Sequence, residues 1–166
     1  DAHACIDAIR DAFLIRFGKD EAAYADLLTL FAGDLERQGA GTYADIRNHI
    51  GNVVLPVPYW AWEDKASEVA AIVSKHGKNG SNKFAWPLVR DTLKNCHCVF
   101  SGSAVEIAPY LHPLEQFGSY FDAKHRVFMS ATITDDAFLV KGLRLLPDTV
   151  TNPLRSKNEK WSGEKM

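Results

Sequence analysis

The chain has 166 residues, a net charge of −2 with histidine neutral, and 46% apolar residues. That length supports one domain, or one domain carrying a sizeable insertion, with a real core, and the near-balanced charge excludes a protein that grips nucleic acid by bulk electrostatics, though not one with a local basic groove. No apolar run reaches the roughly 20 residues of a bilayer-crossing helix, and the first residues lack a basic stretch followed by an apolar signal core, so a cytoplasmic protein with no membrane partner is expected.

In chain order, DAHACIDAIRDAFLIRF puts Ile6, Ile9, Phe13, Leu14 and Phe17 at helical spacing, and Gly18 supplies a stop. KDEAAYADLLTLFAGDLERQ repeats the pattern through Tyr24, Leu27, Leu28, Phe31 and Leu35 until Gly39, Ala40 and Gly41 break it. A short helix opened by a Thr42 cap is expected over 42–50. Pro56 and Pro58 then forbid a continuous helix and keep the chain extended. From Tyr59 to about Lys75 a helix returns, with Trp62, Val69, Ile72 and Val73 available for a core face. After the loop GKNGSN, a further helix is expected to start around Pro87.

The character changes at residue 96. Cys98 and Phe100, then Val105 and Ile107, alternate about a Ser-Gly-Ser turn, which predicts a β-hairpin. HPLEQFGSYFDA reads as a short helix or turn, HRVFMSAT as a buried strand, and TDDAFLVKGL as a short helix with Thr134 as its cap and two acids in its first turn. Three cysteines, Cys5, Cys96 and Cys98, are too few for a disulfide framework and fit a reducing compartment. Cys96-His97-Cys98 superficially suggests metal, but on a strand the two thiols share a face and His97 points away. Zinc needs four ligands, so buried strand cysteines and no metal site are expected.

Two short stretches carry chemistry. An apolar strand ending on Ser130, Ala131 and Thr132, with a helix after it, places hydroxyls at the carboxyl edge of a sheet, where α/β proteins build ligand sites. Asp1 and His3, at the start of a helix, fit a loop that follows another strand. DAH and MSATI, in this order, resemble motifs II and III of superfamily 2 DEAD/DEAH-box helicases, and the likeness covers roughly residues 1–17 and 96–154. The chain also opens abruptly and ends on NEKWSGEKM without an apolar element, so a piece of a longer protein is expected.

The resemblance implies an α/β fold: a partial RecA-like (P-loop NTPase) motor domain with a predominantly α-helical insertion. Residues 1–18 and 96–154 would belong to the motor domain, 19–95 to an insertion at the position of the arch in the iron–sulfur repair helicases, and 155–166 to a linker towards a second motor domain. In that alignment Asp1 occupies the second acidic position of motif II, which orients or deprotonates the attacking water, and the first acidic position, which holds Mg²⁺ in the family, is not present in this sequence. Family members usually have Glu at the Asp1 position. His3 would meet Ser130 and Thr132, flanking Ala131, and couple nucleotide state to grip on nucleic acid, because hydroxyls can exchange donor and acceptor roles with an imidazole.

The implied function is that of an ATP-dependent DNA or RNA helicase or translocase, with ATP and Mg²⁺ as cofactors of the longer protein. No Gly-Lys-Ser/Thr phosphate loop is present, so the chain alone is expected neither to bind a cofactor nor to hydrolyse ATP. In the insertion, Trp60, Trp62 and Trp86 with Lys83, Arg90 and Lys94 offer stacking faces and phosphate contacts to a single strand. A helical protein-interaction module with a protein partner is the alternative reading. A small hydrolase built on Asp1, His3 and Ser130 lacks an oxyanion loop.

Overall fold

The computed structural model describes residues 2–129 and 136–154, with side chains from residue 6 onward. Helix α1 (Ala2–Ala12) gives way to strand β1 (Ile15–Gly18). The helix expected through Phe17 therefore stops five residues early. Ile15 and Phe17 are buried and Arg16 between them is exposed, an alternation of period two that competes with the helical spacing of Phe13 and Phe17. Pairing decides the contest, since β1 finds a partner in β4 (Ala104–Pro109), with Ile15 opposite Ile107 and Phe17 opposite Val105.

Helix α2 (Ala22–Arg47) buries Tyr24, Leu27, Phe31 and Leu35 as the spacing predicts. The break expected at residues 39–41 is present at Gly39, whose backbone leaves the helical region (φ −169°, ψ 81°), so two helical stretches meet at a kink there and the second runs to Arg47. Strand β2 (Val54–Pro56) follows, then α3 (Tyr59–Asp64), α4 (Ala66–His76) and α5 (Asn82–Val89). Because β2 joins the sheet, residues 19–95 are not wholly helical. Nor does α5 wait for Pro87, which lies inside it; the helix starts five residues earlier and runs into a 3₁₀ turn at Arg90–Asn95.

Strand β3 (Cys96–Ser101) and β4 form the expected hairpin. The four strands are antiparallel in the order β1-β4-β3-β2. One face carries Ile15, Phe17, Leu55, Cys98, Phe100, Val105 and Ile107 into a core shared with α2, α4 and α5. The sheet therefore crosses the boundaries drawn from the sequence at residues 18 and 96, and one core unites both sides of them. A parallel sheet of the kind the resemblance implies is not found among the described residues.

The free edge of β1 is closed by a side chain. Asn82, buried on α5, accepts from the Arg16 N–H at 2.9 Å and donates to the Arg16 carbonyl at 2.7 Å, standing in for a neighbouring strand. On the opposite edge, Gln38 donates to the Pro56 carbonyl at 2.8 Å. Residues 125–129 do not add the strand expected there. Val127 and Met129 are 82% and 89% exposed, since no described sheet edge is left to receive them. Beyond the hairpin come α6 (Gly118–Phe121), a π-helical turn at Phe138–Gly142 and α7 (Pro147–Thr151). Among the described residues, no helix is long and apolar enough to cross a membrane.

Candidate functional site

The last turn of α1, the end of β4 and the π-helical turn meet at one end of the sheet. The Phe13 ring stands edge-on to His112 at 5.2 Å, and His112 stands edge-on to Phe138 at 5.7 Å. The Arg10 guanidinium lies 5.2 Å from the Phe138 ring centre, a cation–π contact that fastens α1 to the turn. Gly142 makes this turn possible, because a Cβ there would lie 2.9 Å from Phe138 Cδ2.

Between these elements lies a cleft of about 370 Å³ bordered by Arg10, Asp11, His97, Tyr110, His112 and Lys141. A second cleft of about 510 Å³ lies on the far side of Tyr110, bordered by Tyr59, Thr92, Glu115 and Arg144. Arg144 has a left-handed backbone (φ 57°), and its guanidinium reaches Glu115 at 3.5 Å and also donates to the Lys141 carbonyl.

His97 projects from the sheet face opposite the core. Its ring centre is 4.9 Å from that of Tyr110, and its Nδ1 is buried without a hydrogen-bond partner among the described residues. Burial holds the His97 imidazole below its usual pKa against the opposing pull of Glu106; burial, with Arg10 and Arg144 nearby, lowers that of His112 as well. Both rings are therefore biased to the neutral form in the fold. The unfolded chain binds more protons just below pH 6.5, so stability is full above that value and falls as the pH drops through the lowered folded pKa values. Thermal melts between pH 7.5 and about pH 5 should show this decline, and His112→Gln should flatten it.

Asp1, Ser130, Ala131 and Thr132 lie outside the described residues; His3 is on α1, with its side chain outside them too. Trp62 is a correction: it is 1% exposed, its indole N–H donates to the Leu93 carbonyl at 2.9 Å and its ring stacks on Phe31, leaving no face for a base. Trp60 is exposed, but the Arg37 guanidinium already lies 5.3 Å from its ring. Trp86 is half-buried against the core. Lys83, Arg90 and Lys94 are exposed, with Arg90 3.5 Å from Asp91 and Lys83 beside the exposed Phe84 ring. These side chains do not converge on one groove.

The thiols of Cys96 and Cys98 are buried and unpaired, as the alternation predicts. Burial pushes Cys96 up to about 12 and raises Cys98 as well, which disfavours the thiolate that a metal would need. Among the described residues no group of three or more His, Cys, Asp or Glu could hold a metal ion.

Tyr110, His112, Lys141 and Arg144 were not singled out by spacing or motif. Tyr110 and His112 follow β4 directly, and Lys141 and Arg144 come from the π-helical turn and the residues after it, where periodicity carries no signal; a tyrosine directly after the strand-ending Pro109 was the one available hint. No family model matches this chain, and no curated protein and no solved structure matches it.

Proposed function

We propose that this chain is part of an ATP-dependent DNA or RNA motor, with residues 15–109 as a module carried between motif II and motif III. The observation that carries the reading is the packing of Arg10 on Phe138. Arg10 stands seven residues after His3, and Phe138 six after Thr132, so the segments following the two motif-like stretches meet in space although more than 120 residues separate them. At about 1.5 Å per helical residue, His3 lies roughly 10 Å along α1 from that contact. Motor chemistry needs such closeness, because a histidine that senses the nucleotide has to reach the hydroxyls of the motif III strand.

The sheet supports the same reading. The strand on which the chain enters the module, β1, and the strand on which it leaves, β4, are hydrogen-bonded neighbours. A module with adjacent ends can sit between two segments of another domain without forcing them apart. In the longer protein, Asp1 would orient the attacking water, a preceding acid would hold Mg²⁺, and a phosphate loop upstream would bind ATP. The unpaired cysteines suit a reducing, cytoplasmic setting.

The coding sequence upstream of Asp1 tests the proposal. The expected result is an acidic codon directly before Asp1, an apolar strand before that, and a Gly-Lys-Ser or Gly-Lys-Thr loop further upstream. A start codon at that place would overturn the motor reading and favour a protein-interaction module.

A further inference from the structure

We propose that Tyr110 is the stacking platform for one base of a single-stranded nucleic acid laid across the two clefts at the base of the sheet. The inference rests on the motor reading for its class of ligand and moves the contact away from the tryptophans of the helices. The two clefts share Tyr110 and Leu111, so the tyrosine forms the wall between them. Tyr110 is 59% exposed, so it is not consumed by the core. Tyr59, 48% exposed, stands 6.4 Å from it on one side, and His97 stands 4.9 Å away on the other. The two exposed rings, Tyr110 and Tyr59, offer π-faces that accept any base.

Cations border both compartments: Arg10 and Lys141 in the first, Arg144 in the second. Asp11 and Glu115 are the acids among the lining residues. Arg144 is held by Glu115 at 3.5 Å and Arg10 by Asp7 at 3.9 Å, so a phosphate binds by exchanging partners with exposed carboxylates. The aromatic wall divides a compartment with two cations against one acid from one whose cation is ion-paired, so a base would stack on the ring with its phosphate at the Arg10 and Lys141 rim, and this local pattern is compatible with the chain's net negative charge.

The test is fluorescence anisotropy of labelled oligo(dT) and oligo(U) with the full 166-residue chain. Tyr110→Ala should weaken binding about tenfold, while Tyr110→Phe should bind as the parent does, because the ring and not the hydroxyl carries the contact. Lys141→Gln should reduce the slope of log affinity against log salt by about 0.7, the loss of one phosphate contact on a single strand. Thermal melts of the variants identify any that lose the fold, and Tyr110→Phe supplies the folded reference. A preference for one oligonucleotide over the other assigns the strand as DNA or RNA. Equal binding by the parent and Tyr110→Ala, or no binding by the parent, overturns the stacking site. Failure here with a phosphate loop found upstream sinks the site alone; ring-dependent binding with a start codon at Asp1 sinks the motor alone.

Discussion

Trp62→Ala is expected to lower the free energy of unfolding by about 4 kcal/mol, the middle of the range for a large aromatic removed from a core. Trp62 is 1% exposed and lies where α3 meets α2 and β3. Its removal empties a volume that stiff neighbours such as Phe31, stacked at 6.1 Å, cannot refill. It also strands the Leu93 carbonyl, which now accepts the indole N–H at 2.9 Å. Chemical denaturation should show the loss as a lower midpoint with an unchanged slope. Trp62→Phe should cost about half as much, keeping most of the stacking and losing the hydrogen bond. If either variant left stability untouched but weakened oligonucleotide binding, Trp62 would be a contact residue after all.

Gly102→Ala is expected to cost about 3 kcal/mol, by overpacking rather than by a cavity. Gly102 is at the tip of the β3–β4 hairpin, and a Cβ built on it would lie 2.3 Å from the Ile50 carbonyl oxygen and 2.6 Å from the His49 carbonyl carbon. Both are backbone atoms, so no rotamer change relieves the clash. His49 has left-handed backbone geometry (φ 59°) and places its Nδ1 3.3 Å from the Gly102 carbonyl, so the two turns fit only at this separation. The same substitution at Gly41, where an added Cβ meets nothing within 4 Å, should be neutral or slightly stabilising. Parallel melts of the two variants check the comparison, and similar melting temperatures would show that the close approach at the hairpin tip is soft.

These two sites differ in how visible they are in the sequence. Trp62 shares helical spacing with Val69 and Val73 in the sequence, which makes it available for a core face although the structure divides that stretch into α3 and α4. Gly102 reads as an ordinary turn glycine; the chain that crowds it comes from His49 and Ile50, far from it in sequence. The hairpin at 96–109 and most of α2 were legible because alternation and 3.6-residue spacing are local properties. The region 13–18 was not, since Phe13 and Phe17 satisfy one period while Ile15 and Phe17 satisfy the other. Only pairing with β4, nearly ninety residues on, selects the strand.

The candidate site divides in the same way. The sequence by itself determined the class of each residue available for chemistry: an acid and a histidine at one end, hydroxyls after an apolar run at the other, buried thiols on one strand face. It also determined the hairpin and the helical stretch through Tyr24, Leu27, Phe31 and Leu35, because those depend on neighbours a few residues apart, while the ends of α1 and α5 did not follow from it. The tertiary structure decided that Trp62 is spent in the core, that β1 closes its edge on Asn82, and that Arg10 and Phe138 meet. It also decided that Tyr110 stands between two clefts with its ring open to solvent. These outcomes depend on contacts between residues far apart in the chain, and such contacts are settled by which surfaces bury each other rather than by any periodicity along it.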